Sequence, residues 1–506
     1  MTAILTVLAS SSAVVWLLSI IWRRLVSVSK VNVPHIAFEG DNSAVRYIAE
    51  GGNLLVQGYE KYNRNGQAFA IRNSSDPKRP IIILPMRYLE EVKNAPQSQL
   101  SFPLFMEKVS LQVLLKSLYS TRRSRTHILH RNLIHPIQNI IAEAISQEMP
   151  QADNNNWNSL GLPQPFLAQV FARVAAHVLV GPELAKGRWP SLSRDYVNSV
   201  TKAPGVVRHK YHPYFRWVAK YLEPSVKTVL KYRREAAELL KPTLVARTAE
   251  PQQEETRTTH QDAIQWLIET FQSRGKTLTP DTLAQSIFGI MTAAIDSTSA
   301  TATWMLYDLL QHPDAFSDIR EEIQAVQKRH IDDDPGSSKQ SESFIWTRQT
   351  LSELRVLDSF LRESLRLHSF TLITLERMAV KPYTFKDGLH IPKHTQVAFA
   401  RVPHSLDPDV HSPDPTKFDH KRHLRKRVGD DATRFHFTSV SEETLAWGAG
   451  MHACPGRFLA GETLKLIFVS LVMGYEMKFD KAPGPDRMMG MFIAPDNTAT
   501  VLVKKI

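Results

Sequence analysis

The only cysteine of the chain, Cys454, is the first candidate for chemistry, and it lies between the runs Trp-Gly-Ala-Gly-Met-His-Ala and Pro-Gly-Arg. One thiol cannot form an internal disulfide, so Cys454 is either a buried structural side chain or a reagent. Gly448, Gly450 and Gly456 permit a sharply bent backbone beside a flat or bulky group. Pro455 suits the first position of a helix, whose positive end favours thiolate, the metal-binding form of cysteine. The segment therefore indicates a metal-ligating thiolate.

A second group of polar residues, Asp296, Ser297 and Thr298, lies in the middle of a helix that the pattern predicts over 280–311. Thr279 can cap this helix, and a proline and an acid follow in its first turn. A carboxyl group beside hydroxyl groups can hold a proton and pass it on. In isolation such a polar patch on a helix is common, so its meaning depends on what the helix faces.

The cysteine segment resembles the haem-binding signature of the cytochromes P-450. Its pattern W-x-x-G-x-H-x-C-x-G is similar to the family's F-x-x-G-x-R-x-C-x-G, with Trp447 in place of Phe and His452 in place of Arg. The resemblance implies that Cys454 is the axial thiolate ligand of the iron of haem b, in a loop shaped by Gly450 and Gly456. It also implies that His452 contacts a haem propionate, as a cation whose charge depends on pH. The run His-Ala-Cys-Pro-Gly-Arg-Phe most resembles membrane-bound filamentous-fungal members.

The helical polar group also matches the family. The run Ala-Ala-Ile-Asp-Ser-Thr that ends at Thr298 resembles the family motif [AG]-G-x-[DE]-T-[TS]. The resemblance implies that Asp296 and Ser297 deliver protons where dioxygen is activated. Ser297 stands where Thr is usual, so it keeps the hydroxyl but lacks the methyl group that restricts the rotamer. Whether Ser297 or Thr298 is the relay alcohol stays open.

A third motif, Glu363 and Arg366, takes its meaning from the same resemblance. By itself a pair three residues apart on a helix is usually solvated and contributes about 0–1 kcal/mol. The family has an invariant E-x-x-R pair whose partner lies in a later P-x-x-F-x-x-x-R segment, and the run that ends at Arg422 fits that pattern. The resemblance implies that Glu363, Arg366 and Arg422 form a structural network and take no part in catalysis.

The resemblance also outlines where substrate and haem would lie. It places the apolar run 370–375 beside the substrate and assigns Arg377 to a haem propionate. The other predicted pocket residues are 489–493, Phe288, Met291 and Thr292. Because these residues are mostly apolar, we predict a lipophilic small-molecule substrate.

The elements that must position these residues are mostly helical. Short extended runs between residues 58 and 89 predict a small β-sheet. Helical patterns follow over 122–148, 164–181, 221–247, 260–274 and 280–311. We predict a mainly α fold with small β-sheets, the cytochrome P-450 fold, in one domain over 35–506. The aromatic and basic segment 209–217 is either a loop between helices or a membrane contact near the substrate entrance.

The N-terminal segment predicts a membrane anchor. Residues 4–22 are apolar apart from small hydroxyl residues, and that length can span a bilayer. No charge precedes the run and Arg23, Arg24 and Lys30 follow it, so the positive-inside rule places the body of the protein in the cytosol. We predict a transmembrane anchor over 4–22, a basic, proline-containing linker over 23–34, and a single-pass location in the endoplasmic reticulum membrane.

The charge and composition of the chain do not favour a nucleic-acid partner. The net charge is +12, but basic residues are spread along the chain and accompany no nucleic-acid-binding motif. A membrane surface or an acidic redox partner explains the charge as well. With 43% hydrophobic residues and no internal repeat, the chain can form one large core.

The resemblance implies a haem-thiolate monooxygenase that inserts one oxygen atom from dioxygen into a terpenoid or polyketide-like molecule, in secondary metabolite biosynthesis. Electrons would come from NADPH through a separate NADPH–cytochrome reductase, since the sequence has no flavin or dinucleotide motif. Two alternatives remain: a haem-thiolate isomerase or dehydratase acting without dioxygen, and a non-catalytic haem-binding sensor. The pair Asp296-Ser297 argues against the isomerase or dehydratase, which needs no proton relay. The predicted apolar pocket and membrane anchor argue against the sensor.

Overall fold

The computed structural model describes residues 31–506 apart from 42, 74–78, 110–132, 151–155, 212, 250–259, 334–343, 430 and 432–433. The predicted anchor over 4–22 lies outside these residues, as do most of the predicted linker over 23–34 and the first part of the predicted helix over 122–148. One helix among the described residues, Pro163–Leu184, is long and apolar enough to cross a membrane, but most of it is buried inside the protein.

The described residues form sixteen α-helices, so the prediction of a mainly helical fold is confirmed. In chain order they are α1 Ala44–Gly58, α2 Leu89–Asn94, α3 Phe102–Val109, α4 Ile134–Glu148, α5 Pro163–Leu184, α6 Trp189–Lys210, α7 Ala219–Leu222, α8 Pro224–Ala249, α9 Ala263–Gln272, α10 Pro280–Gln311, α11 Pro313–Asp333, α12 Arg348–Glu353, α13 Arg355–Leu367, α14 Arg401–Ser405, α15 Arg422–Arg425 and α16 Arg457–Gly474. A π-helical turn, Tyr59–Asn63, continues α1, and a 3-10 helix, Pro213–Val218, follows α6.

Short strands form small sheets, as predicted. They are β1 Phe69–Ile71, β2 Ile81–Leu84, β3 Leu100–Ser101, β4 Asn158–Gly161, β5 Ile373–Ala379, β6 Tyr383–Thr384, β7 His390–Ile391, β8 Gln396–Ala400, β9 Tyr475–Lys481, β10 Arg487–Met489, β11 Phe492–Ala494 and β12 Thr500–Lys505. The largest sheet has the order β1-β2-β8-β5-β3, with β2 and β8 parallel. The others are β4-β12-β9, β10-β11 and β6-β7. The pairing of β1 with β2 confirms the small sheet predicted between residues 58 and 89.

Helix α10 forms over the predicted residues because both of its ends carry strong local signals. The Thr279 side chain accepts a hydrogen bond from the Thr282 backbone N–H at 3.2 Å, and Pro280 occupies the first turn. Pro313 begins the next helix. Because α10 packs against α5, α6 and α8, most of its apolar residues are buried. The helix therefore runs through the core and holds residues 296–298 inside the protein.

Strand β5 connects this helix to the segment that carries Cys454. Ile373 of β5 packs in one apolar cluster with Trp304 of α10. Leu375 of the same strand packs in a second cluster with Ala449, which lies shortly before Cys454. The strand therefore lies between the helix with the polar group and the loop with the thiol.

A buried ionic network joins helix α13 to the segment that leads into α15. The Glu363 carboxylate accepts hydrogen bonds from Arg366 Nε and Nη2 at 2.9 and 2.8 Å and from Arg422 Nε at 3.0 Å. None of the three residues is more than 5% exposed. Arg366 also donates to the carbonyl oxygens of Ser405 and Pro415 at 2.8 and 2.6 Å. The structure thus brings the E-x-x-R pair and Arg422 into direct contact.

Neighbouring donors keep Glu363 ionised despite its burial. Burial alone would raise the pKa of Glu363, but the hydrogen bonds and the positive charge of Arg366 hold that pKa well below its usual range. His423 Nε2 lies 3.2 Å from Glu363 Oε2, and burial lowers the pKa of His423 to about 4. His423 is therefore neutral at pH 7, and the charge that balances Glu363 comes from the two arginines.

We expect Glu363→Gln to destabilise the protein severely, because it leaves two buried guanidinium groups without their carboxylate. Breaking a buried ion pair costs about 3–5 kcal/mol, which is a large part of a typical stability of about 5–15 kcal/mol. The thermal unfolding midpoint and the yield of soluble protein should both fall.

The matched control is Glu353→Gln. Glu353 also pairs with two basic side chains, Arg329 and His330, but it does so near the surface. Exposed pairs contribute about 0–1 kcal/mol, so this variant should unfold close to the parent's midpoint. Equal unfolding midpoints for Glu363→Gln and Glu353→Gln would contradict the network's role.

Candidate active site

Residues 447–456, here called the cysteine loop, form a tight turn that is closed by its own backbone. The Cys454 N–H donates to the Trp447 carbonyl oxygen at 2.7 Å. Gly448 and Gly450 have φ values of +73° and +61°, in the left-handed region that favours glycine. The glycine spacing seen in the sequence is therefore a requirement of this loop geometry.

Side chains from outside hold the cysteine loop in place. A Cβ atom at Gly450 would lie 3.0 Å from the Cβ atom of Lys93 in α2, so the loop rests directly on that helix. Trp447 Nε1 donates to the Phe437 carbonyl oxygen at 2.7 Å, and the two aromatic rings meet edge to face at 5.4 Å. Arg457 Nη1 donates to the Cys454 carbonyl oxygen at 2.9 Å. The loop is thus fixed on both sides of the sulfur.

The helix after the loop begins later than predicted. Helix α16 starts at Arg457 with Gly456 as its N-cap, so the prediction that Pro455 opens the helix is wrong by two residues. Burial raises the pKa of the Cys454 thiol, and the N–H groups of Gly456 and Arg457 together with the Arg457 charge offset this only in part. The N–H groups at the start of the helix thus act in the expected direction, toward thiolate, but burial acts against them. A metal cation at the sulfur would favour the thiolate further.

Helix α10 exposes two apolar residues in its middle, although most of the helix is buried. Ile290 is 38% exposed, and Ala293 is exposed as well. Together with the half-buried Ser297 they follow the spacing of three and four residues that defines one helix face. This face, here called the open face of α10, suits contact with a flat apolar group.

Both candidate relay alcohols return a hydrogen bond to their own helix. Ser297 Oγ donates to the Ala293 carbonyl oxygen at 2.6 Å, and Thr298 Oγ1 donates to the Ala294 carbonyl oxygen. A hydroxyl group that donates one hydrogen bond can still accept others, so each can take part in a relay. Both alcohols follow Asp296 in the sequence, and their hydrogen bonds do not choose between them.

Asp296 is suited to exchange protons near neutral pH. Burial raises the pKa of Asp296 to about 6. A general acid or base works best when its pKa lies near the working pH. The side chain is half-buried and belongs to the residue directly before Ser297. The carboxyl group can therefore both take up and release a proton at this point of the helix.

Two residues predicted for the pocket lie in the core instead. Phe288 and Met291 are 0% exposed. The Phe288 ring stacks on Tyr196 at 4.0 Å and on Trp189 at 5.5 Å, and both partners belong to α6. This face of α10 is therefore covered by α6, which sequence analysis did not identify as a helix. Thr292, the third residue of helix α10 predicted for the pocket, is half-buried, and the exposed residues in the middle of the helix are Ile290 and Ala293 of the open face.

Arg377 and His452 meet around an aromatic ring that sequence analysis missed. The Arg377 guanidinium carbon lies 5.7 Å from the centre of the Phe102 ring, and the His452 ring centre lies 6.1 Å from it. Gln97 Nε2 lies 3.3 Å from His452 Nε2. Gln97 precedes His452 by 355 residues, and no motif spacing connects them. Only the fold could reveal that these side chains share a site.

The residues present fit a haem group. Arg377 is 2% exposed, and although burial lowers its pKa to about 10 it remains a cation at pH 7. Its Nη2 atom is buried and has no hydrogen-bond partner among the described residues. A buried donor of this kind is costly unless an anion accepts from it, and a haem propionate is such an anion. Cys454 provides a sulfur ligand, and the open face of α10 provides an apolar surface for the ring.

The two segments predicted to contact substrate form one wall. Residues 487–494, here called the hairpin wall, consist of β10, β11 and the turn between them. The Leu372 N–H donates to the Met491 carbonyl oxygen at 2.9 Å, and the Ile493 N–H donates to the Phe370 carbonyl oxygen at 3.0 Å. The wall is therefore hydrogen-bonded to the first part of the apolar run 370–375.

Comparison with known proteins adds independent support. The family model for cytochrome P-450 matches residues 113–503. The cytochrome P-450 monooxygenase cheE of Chaetomium globosum is 36% identical, over 96% of this chain and 95% of that protein. The pyrichalasin C-7 hydroxylase of Pyricularia grisea is 31% identical, over 90% and 88%. A solved structure, a retinoic acid-bound cyanobacterial CYP120A1, shares the fold with a TM-score of 0.66 at 18% identity, over 94% of this chain and 100% of that one.

The family match covers more than half of the chain, and the two monooxygenase relatives align with nearly all of it. The fold agrees with that of solved members, whose shared cofactor is haem with a thiolate ligand to iron. The predicted resemblance is therefore confirmed at the level of family, activity and cofactor. This chain belongs to the cytochrome P-450 family and is a haem-dependent monooxygenase.

Proposed function

We propose that this monooxygenase oxidises a lipophilic natural product, terpenoid or polyketide-like, in secondary metabolite biosynthesis. The observation that carries the proposal is the arrangement on α10, where Asp296 and two hydroxyl groups adjoin an apolar open face. The similarity to a pyrichalasin C-7 hydroxylase supports hydroxylation of a small organic molecule as the reaction. One oxygen atom would enter a C–H bond or an alkene, and the other would leave as water while NADPH and a proton are consumed.

The residues of the cysteine loop hold the cofactor in this proposal. Haem, when bound through Cys454, supplies the activation of dioxygen. Trp447 closes the loop through its carbonyl oxygen, and Gly450 and Gly456 would let the loop approach the haem ring. Arg377 would donate to a haem propionate through Nη2, the atom that has no partner among the described residues, and His452, which lies against the same Phe102 ring, would contact a propionate as well.

Residues of α10 would deliver the protons. Asp296 takes a proton from solvent, since its pKa of about 6 lets it change protonation state at neutral pH. Ser297 or Thr298 then passes a proton toward the open face. Each hydroxyl must first turn away from the carbonyl oxygen to which it now donates. The serine hydroxyl turns more freely than a threonine hydroxyl, because no methyl group restricts its rotamer.

Incorporation of labelled oxygen tests the proposed reaction. Membranes that contain the protein and an NADPH–cytochrome reductase would be incubated under ¹⁸O₂ with an extract of the producing organism from which this gene is deleted. We expect a product that gains one ¹⁸O atom, with NADPH consumed. A rearranged product without label would favour the isomerase or dehydratase. A haem-loaded protein that consumes no component of the extract would favour the sensor.

The same assay distinguishes the two alcohols when NADPH, labelled product and released peroxide are counted together. We expect Ser297→Ala to bind substrate as the parent does but to release more peroxide per NADPH. Proton assistance contributes typically 10²–10⁴-fold, so Asp296→Asn should slow turnover more severely. Ser297→Thr should improve coupling, so that more labelled product forms per NADPH consumed.

If Thr298→Ala lowers the yield of product per NADPH while Ser297→Ala does not, the relay alcohol is Thr298. Unchanged coupling in both variants would contradict the relay.

We further propose that the protein is held on the endoplasmic reticulum membrane by two contacts. The first is the apolar segment 4–22 with its following arginines. The second is a patch of exposed apolar and aromatic side chains at and after the 3-10 helix Pro213–Val218: Phe215, Trp217, Tyr221 and Leu222. Aromatic rings beside basic residues suit a membrane interface. A reductase on the same membrane could then supply electrons.

Sedimentation of a truncated chain tests the two contacts. We expect a chain that starts at residue 30 to remain partly membrane-bound, because the exposed patch persists. Substituting Phe215→Ser and Trp217→Ser in that chain should release it. The control is Trp157→Ser in the same truncated chain, since Trp157 is an exposed tryptophan on another surface. Full release by truncation alone would show that the N-terminal segment is the sole anchor.

A further inference from the structure

His368, which directly follows α13, lies in a cluster that joins three parts of the fold. Its Nε2 atom lies 3.1 Å from Asp308 Oδ1 in α10, and its Nδ1 atom lies 3.8 Å from Asp486 Oδ2 at the start of the hairpin wall. The imidazole ring stacks on Trp304 of α10, with ring centres 5.7 Å apart and an angle of 11°. Trp304 Nε1 in turn donates to Asp486 Oδ1 at 2.7 Å.

The two carboxylates make His368 a cation at neutral pH. Burial by itself would lower the pKa of His368, but Asp308 and then Asp486 raise that pKa to about 9. Asp308 is 4% exposed, and its Oδ2 atom has no hydrogen-bond partner among the described residues, so its charge is balanced mainly through His368. The Asp486 side chain is 36% exposed. The cluster is therefore anchored at its α10 end and accessible to water at its hairpin end.

The cluster connects α10 to the segment that leads into the hairpin wall. Trp304 lies seven residues after Ser297, which is about two helical turns along α10. Asp486 lies directly before β10, and the hairpin wall that follows is hydrogen-bonded to the apolar run at Phe370 and Leu372. A shift of Asp486 would therefore move the wall relative to the helix with the proton donors.

We infer that His368 is a positioning residue, which fixes the hairpin wall against α10 through Asp486 and Trp304 and so sets how a long ligand is held at the haem. The inference rests on the proposed substrate position beside the wall. The inference concerns the outer part of the pocket and not the thiolate ligand. Breaking the cluster should therefore change the affinity for long ligands more than the affinity for short ligands.

A series of 1-alkylimidazoles, from methyl to dodecyl, measures this effect without the natural substrate. Their free ring nitrogen ligates haem iron and shifts its absorbance, while the alkyl chain reaches outward. In Asp486→Asn and His368→Gln, 1-methylimidazole should bind as in the parent. The dodecyl compound should bind roughly two- to fivefold more weakly, the range expected when a partly exposed ion pair of up to about 1 kcal/mol is lost. Asp480→Asn is the matched control, because Asp480 of β9 accepts a hydrogen bond from Thr500 of β12, in the sheet β4-β12-β9 and not in the hairpin wall.

Hydrogen exchange of residues 487–494 gives a second readout that needs no ligand. The pKa of His368 is raised on folding, so its protonated form stabilises the fold. This stabilisation is complete below the pKa of unfolded histidine, about 6.5, and is lost as pH rises through the folded pKa of about 9. Asp308 and Asp486 are the ionisable groups that face His368. Protection of the wall, relative to α16, should therefore fall between about pH 7 and 9.5 in the parent and stay constant in His368→Gln.

The outcomes separate this inference from the proposed function. If the parent gives no absorbance shift with any imidazole, the haem site and with it the proposed function fail. A second outcome would overturn the inference alone. If the parent binds the series, and both variants show the parent's ratio of dodecyl to methyl affinity and the parent's pH-dependent hydrogen exchange of the wall, His368 does not position the wall. A loss of methyl and dodecyl binding to the same extent would assign His368 a general structural role and also overturn the inference.

Discussion

To ligate iron as proposed, the sulfur of Cys454 has to lose a proton inside the protein, and burial opposes that loss by raising the pKa of the thiol. The N–H groups of Gly456 and Arg457 and the Arg457 charge act in the opposite direction, and a bound iron cation would favour the thiolate further. A cation can do so only if the sulfur is held still at bonding distance. The left-handed Gly448 and Gly450, the closure of the loop on Trp447 and its contact with Lys93 provide that rigidity. In the proposed site, these features would hold one thiolate at the iron of the haem.

The same conflict between charge and burial recurs at the other buried ionic groups of the site. Glu363 is balanced by two arginines, and Asp308 is balanced by His368. Arg377 has a buried donor, Nη2, with no acceptor among the described residues. A haem propionate would accept from this donor and balance the charge of the guanidinium group. In the proposed arrangement the cofactor would thus be part of the electrostatic balance of the fold.

Sequence reasoning located the features whose signals are local. Helix α10 could be bounded because Thr279 caps it and a proline follows its end, and the cysteine loop could be found from glycine spacing. Features that depend on distant segments were missed or misplaced. Phe288 was assigned to the pocket because the covering helix α6 was not predicted, and α6 carries an internal proline and a weakly apolar sequence. Phe102 and the partners of His368 could not be found either, since only the fold brings them together.

The central claim, that Cys454 ligates haem iron, is tested most directly by the absorbance of the reduced protein with carbon monoxide. A thiolate opposite carbon monoxide donates electron density and shifts the main haem band to longer wavelength than a nitrogen ligand does. The parent and the control Met451→Ala, which changes an exposed neighbour in the loop, should both show the shifted band. Folded Cys454→Ala should lack it, and Cys454→Ser should not restore it. A shifted band that persists in folded, haem-loaded Cys454→Ala would contradict the account.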